Sequence, residues 1–217
     1  MKERISAGFD YLWCSLYACA AFAIELLLLF VEGKIGVDTA NYNFSQNVIH
    51  WSLTTILWIF AGLFVIYIGK KTTGFDIWAQ KEKMKRWQYF AVCITFVVNI
   101  IAKYLDWNGF KVLIEWQSHT PVLFAFQYIY YLAEGFLISL VIVFGQKAFE
   151  TWFQNESIPF GGIVLGLVWG LAHIISKGDV VTGILAMLAG FLFGTAYLFV
   201  NKDYRKALPI LILLFIL

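Results

Sequence analysis

Long apolar runs alternate with short polar connections along the chain, and this pattern fixes the expected elements before any single residue is weighed. Runs long enough to cross a ~30 Å hydrocarbon core as helix fall at 11–31, 49–69, 87–107, 122–145, 159–176 and 180–200. A seventh run, Ala207 to Leu217, covers only about half a bilayer at ~1.5 Å per residue. It is expected to be a re-entrant piece, an interfacial helix or a shortened span. No run shows the period-2 alternation of a membrane barrel strand. The expected fold is all-α: a polytopic transmembrane helix bundle of six spans plus a short C-terminal apolar helix. It forms one integral membrane domain, 1–217, with its polar core region at 122–200. The first apolar run continues to about Val31, longer than a secretory signal core, and is read as a span.

Composition sharpens this picture. Of the residues, 61% are apolar, 19% aromatic and only 14% charged, far below the quarter or so of a water-soluble domain. The bilayer is the implied partner, and nothing in the +2 net charge points to nucleic acid. Twelve of the sixteen basic residues fall in the N-terminal tail and the even-numbered connections: Lys2, Arg4, Lys70, Lys71, Lys81, Lys83, Lys85, Arg86, Lys147, Lys202, Arg205 and Lys206. The other four are Lys34, Lys103, Lys111 and Lys177. The positive-inside rule then places the N-terminus in the cytoplasm. The stretch 70–86 reads as a topology signal on a short interfacial helix. Trp87, Trp107, Trp116 and Trp152 stand at span ends, where interface anchors belong. Cys14, Cys19 and Cys93 all fall within runs and read as small apolar fillers.

Ionisable residues inside spans are costly unless partnered, so they are the functional candidates. In the fourth run Gln127, Tyr130, Tyr131 and Glu134 recur at i, i+3, i+4 and i+7 and share one helix face. Glu134 near mid-span reads as a base or proton carrier. In the fifth run His173 follows Trp169 by four residues and lies near the face of a ladder, Gly162, Gly166 and Gly170, that admits close backbone packing. Gly190 and Gly194 of the sixth run are its expected mate. Asn99 and Lys103 sit one turn apart in the third run, and Lys103 and Asp106 are expected to snorkel and pair near the surface. Glu25 is a lone acid that would pair with Lys103 or face a polar cavity. His50 and His119, at span ends, read as interfacial contacts. No HExxH, GxSxG, phosphate loop or dinucleotide fingerprint occurs, and no metal or cofactor is implied.

Three segments carry a family resemblance: Ala133-Glu134-Gly135, Trp169-Gly170-Leu171-Ala172-His173, and Gly190-Phe191-Leu192-Phe193-Gly194-Thr195-Ala196-Tyr197. Together they resemble the CPBP (CAAX protease and bacteriocin-processing, Abi) intramembrane glutamic endopeptidases. The resemblance covers about 130–200. It implies an intramembrane protease fold in a prokaryotic plasma membrane, with Glu134 and His173 in the catalytic positions. Trp169, Gln127, Tyr130, Tyr131, Asn99 and Lys103 would line a cleft for a hydrophobic or prenylated peptide. The chain departs from the family pattern in three places. Ala133 stands where the first glutamate of Glu-Glu-x-x-x-Arg belongs, Ile138 where its arginine belongs, and 208–214 holds neither histidine nor asparagine. The expectation is a catalytically impaired relative that binds a hydrophobic peptide or another membrane protein. An active endopeptidase using Glu134 and His173 is the first alternative. A small-molecule or ion carrier using Glu25, Lys103 and Glu134 is the second.

Overall fold

In the computed structural model, which describes residues 2–217, nine helices follow one another: α1 Lys2–Ala20, α2 Ala23–Lys34, α3 Phe44–Thr73, α4 Arg86–Trp107, α5 Lys111–Ser118, α6 Pro121–Phe153, α7 Phe160–Lys177, α8 Val180–Phe199 and α9 Tyr204–Ile216. Helix accounts for 81% of the chain and there are no strands among the described residues. Backbone donors and acceptors with no water to meet them must be satisfied within the segment, which is what a membrane helix does.

Five helical stretches are long and apolar enough to cross a membrane: Arg4–Lys34, Phe44–Thr73, Arg86–Trp107, Pro121–Phe153 and Val180–Phe199. Large apolar side chains such as Leu27, Phe60, Phe64, Phe90 and Leu105 remain exposed on them. With no polar shell over these faces, the protein is an integral, multi-pass membrane protein. The sixth expected span, 159–176, is a shorter apolar helix, Phe160–Ser176, that falls below the length of the other five. The first span is broken. Around Ala21 and Phe22 the bonds turn to i→i+3, with Phe22 N donating to Cys19 O at 3.1 Å and Ile24 N to Ala21 O at 3.1 Å. This break separates α1 from α2 within a single apolar run.

Helix ends follow local chemistry. Asn43 and Gln46 form a capping box at the start of α3. Thr120 caps α6 ahead of Pro121 at its first position. Asp179 and Asp203 cap α8 and α9. The sequence pattern did not anticipate α5, a short helix in the connection before α6.

The bundle is built around α6, which packs on α1, α3, α7 and α9. Its stretch Leu137–Phe144 is fully buried and apolar but for Ser139, as suits a central helix. α7 and α8 form the closest pair, and the expected glycine ladder is the reason. A Cβ on Gly194 would stand 2.4 Å from Gly162 Cα, and one on Gly190 2.7 Å from Gly166 N. α9 is not interfacial: Ala207, Leu211 and Leu214 are completely buried against the bundle. The lysine-rich connection gathers at one end with the α8–α9 turn. There Arg205 Nη2 donates to Gln80 O at 3.0 Å, Asn201 Nδ2 to Lys83 O at 3.2 Å, and Lys206 to the Glu82 carbonyl.

Candidate functional site

The polar side chains collect in the half of the bundle that holds the N-terminal turns of α3 and α6. Glu115 on α5 sits at the centre of the first cluster. Its carboxylate accepts from Tyr128 Oη at 2.8 Å and Tyr131 Oη at 2.7 Å, and Lys111 Nζ lies 4.0 Å away. Gln127 Nε2 donates to Tyr131 Oη at 3.0 Å. Lys111 lies over the Tyr131 ring, 4.3 Å from its centroid, with Phe215 and Trp107 around it. The face shared by Gln127, Tyr130 and Tyr131 is therefore turned inward, and its partner is a helix that sequence reasoning passed over.

A second cluster joins α2, α3 and α6. His50 is buried, with Nδ1 2.9 Å from Glu32 Oε2 and Nε2 3.5 Å from Glu25 Oε1. Tyr130 Oη donates to the same Glu25 oxygen at 2.9 Å, and Tyr42 donates to Glu32. The expected interfacial role of His50 is thus corrected: its ring fills a gap between two acids. Glu25 is not alone and does not pair with Lys103.

A third set surrounds the last turn of α9. Asn99 Nδ2 donates to Leu214 O at 2.8 Å, and Lys103 Nζ donates to Leu214 O at 3.0 Å and Phe215 O at 2.5 Å. The expected Lys103–Asp106 pair does not form; Asp106 is exposed and Lys103 points into the bundle. The carbonyls at a helix C-terminus have no partner within the helix, and here two side chains of α4 meet them.

Glu134 and His173 are not joined by a hydrogen bond or an ion pair. His173 Nδ1 bonds instead to the carbonyl of Trp169 in its own helix at 2.9 Å, with the two rings edge to face. Trp169 packs towards Phe193 and Phe215. Glu134 makes no hydrogen bond and no salt bridge with any described residue, while Glu25, Glu32 and Glu115 are all satisfied. Its side chain is partly accessible. The charges that reach it are Glu25, Lys111 and Lys103. In the same half, Thr54 Oγ1, Thr55 Oγ1, Trp58 Nε1 and Gln127 Oε1 are buried without a hydrogen-bond partner. Trp58 packs on Tyr130, one turn before Glu134, with centroids 4.8 Å apart.

No family model, curated protein or solved structure matches the chain.

The opposite end holds a cavity of about 450 Å³ lined by Asp76, Gln146, Lys147, Glu150, Tyr197 and Lys202, among others. It is braced rather than open in its bonding. Gln146 Nε2 donates to Glu150 Oε1 at 2.9 Å and to Ile158 O at 2.8 Å, and Gly161 N donates to Gln146 Oε1 at 2.9 Å. Lys202 Nζ spans Glu150 at 3.0 Å and Glu156 at 2.7 Å. Burial pushes the Lys202 ammonium down, but the hydrogen bonds and charges of the two acids outweigh it and hold it above the ordinary lysine value.

Among the described residues no group of three or more His, Cys, Asp and Glu side chains could hold a metal ion. Sequence reasoning missed Glu115, Lys111, Glu32 and Tyr42. These residues sit in connections or short helices, outside the membrane-length runs that were searched for buried charge. Only the fold carries them against α6.

Proposed function

We propose that this is a CPBP-like protein of a prokaryotic plasma membrane, with its N-terminus and lysine-rich connection cytoplasmic. It binds a hydrophobic peptide, or a segment of another membrane protein, and does not cleave it. The reading rests on Glu134, a carboxylate left without a protein donor where every neighbouring acid has one. Glu134 is partly accessible, and a partner that presents an N–H or amino group gives it the charge-assisted hydrogen bond that its neighbours already have. Trp58 Nε1 and the Thr54 and Thr55 hydroxyls add further polar groups on the neighbouring face of α3. A hydrolytic site of the glutamate type needs a base poised on water and donors around the developing oxyanion. His173 is engaged with its own helix, and the family's other polar positions are Ala133 and Ile138.

The test uses the full-length protein in lipid nanodiscs and two probes, a leucine-alanine peptide with a free N-terminal amine and its N-acetylated form. Binding is read from tryptophan fluorescence, and cleavage by mass spectrometry. The expected result is binding of the amine peptide with no cleavage. Glu134→Gln is expected to weaken that binding by about tenfold or more, as for a lost charge-assisted hydrogen bond. Cleavage that disappears in Glu134→Gln would overturn the reading in favour of an active endopeptidase. Binding of neither peptide would overturn it altogether.

A further inference from the structure

The contacts of His50 fix the hydrogen count of its site. Each ring nitrogen faces a carboxylate oxygen: Nδ1 meets Glu32 at 2.9 Å, and Nε2 meets Glu25 at 3.5 Å. An ionised carboxylate is an acceptor only, and a neutral imidazole has one N–H and one bare nitrogen. Two carboxylates around a neutral ring would therefore leave one lone pair directed at another. Tyr42 Oη also lies 3.3 Å from His50 Nδ1, but its one hydrogen goes to the nearer Glu32 oxygen, and Tyr130 Oη donates to Glu25, so neither supplies the ring with the missing hydrogen. Among the described residues no lysine or arginine joins the group by an ion pair. The remaining titratable neighbours are Glu134, whose charge and that of Glu25 reach each other, and His119, across Trp51 with ring centroids 6.2 Å apart.

We infer that Glu25, His50 and Glu32 form a proton-binding site that latches α2 onto α3. The bound proton makes His50 an imidazolium with an N–H towards each acid. The triad then carries one net negative charge. Releasing the proton to water breaks one N–H bond, leaves its electron pair on the ring nitrogen, and raises the charge to two.

The consequence falls on α2. None of its residues is buried, and Leu26, Leu27, Phe30 and Val31 are exposed. It follows the break at Ala21 and Phe22, where the helical bonding gives way to turns. The half-helix thus has little apolar packing to hold it, and its two acids are its polar attachments to the bundle. Losing the shared proton puts two carboxylates beside a bare nitrogen and loosens that attachment. The ligand is a proton, and the output is the position of α2.

The experiment is solid-state nuclear magnetic resonance on the full-length protein, ¹⁵N-labelled at histidine, in lipid bilayers. The chain has three histidines, and His119→Gln and His173→Gln identify the His50 signals by elimination. At neutral pH both His50 nitrogens are expected to carry hydrogen. As that signature is lost on raising the pH, α2 amide exchange, normalised to unprotected chain rates, is expected to accelerate by about tenfold. His50→Gln keeps a donor and an acceptor but cannot titrate, and should remove the pH dependence from α2. A neutral His50 ring with one bare nitrogen at all pH values would overturn the inference, as would α2 exchange indifferent to the His50 transition. Because the spectrum is read on the native residue, a poorly folding His50→Gln variant leaves the test decisive.

Discussion

Lys103 Nζ lies 3.0 Å from the carbonyl oxygen of Leu214, and Asn99 Nδ2 lies 2.8 Å from the same atom. Two side chains one turn apart on α4 thereby close the end of α9. A lysine that sequence reasoning sends to the surface is held inside by a neighbouring helix that needs its hydrogens.

Lys103→Met keeps the length and apolar stem but removes the donor. It is expected to lower stability by about 1–3 kcal/mol, the range for a buried acceptor losing its partner. Asn99→Leu should cost less, because Lys103 still donates to the Leu214 carbonyl. The double variant should cost more than the sum, because either residue alone still serves the Leu214 carbonyl. Equilibrium unfolding in mixed micelles measures all three.

At Gly194 the α7–α8 contact leaves no room for a side chain. Gly194→Val places its first carbon 2.4 Å from Gly162 Cα, a backbone atom that cannot swing away. A loss of about 3 kcal/mol or more is expected, at the upper end for overpacking. Gly33→Ala is the control: its Cβ meets nothing within 4 Å, so stability should hold or rise slightly. Thermal unfolding by intrinsic fluorescence compares them.

Asp203 caps α9 and pairs with Arg205 and Lys206 in its first turn. Burial pushes its carboxyl up, but the hydrogen bonds and charges of Lys206 and Arg205 outweigh this and hold it below the ordinary aspartate value. A depressed folded value means that the stabilisation is complete at neutral pH and is lost as pH falls through it, below about pH 4. The melting temperature should drop across that window. Asp203→Asn keeps a competent helix cap and should start lower at neutral pH, with a smaller further drop in acid.

His173 separates the binding reading from the catalytic one. Its ring bonds to the carbonyl of Trp169 and not to Glu134. His173→Gln should change the affinity for the amine-terminated peptide by less than about twofold, against tenfold for Glu134→Gln. A matched loss in both variants would mean that the two side chains act as a unit.

The sequence made the class legible because bilayer thickness and helical rise leave few ways to house such apolar runs. It also exposed the glycine ladder, since Gly162, Gly166 and Gly170 recur at the spacing of one helix face. It did not reveal the break at Ala21 and Phe22, where no proline or glycine marks the place. Nor did it reveal α5, whose eight residues lie below any length at which an apolar period stands out.

Partnership is where the two diverge. By itself the sequence determined the membrane-length apolar runs and their membrane character, the inward face of Gln127, Tyr130 and Tyr131, and the presence of buried charge. Periodicity and transfer energy act along a single segment, so one segment suffices to read them. Only the tertiary structure decided which charges meet: Glu115 with Tyr128 and Tyr131, Lys103 with the end of α9, His50 with Glu25 and Glu32, and Glu134 with none. Hydrogen bonds act over about 3 Å between groups far apart in the chain. The packing of nine helices brings those groups together or leaves one without a partner.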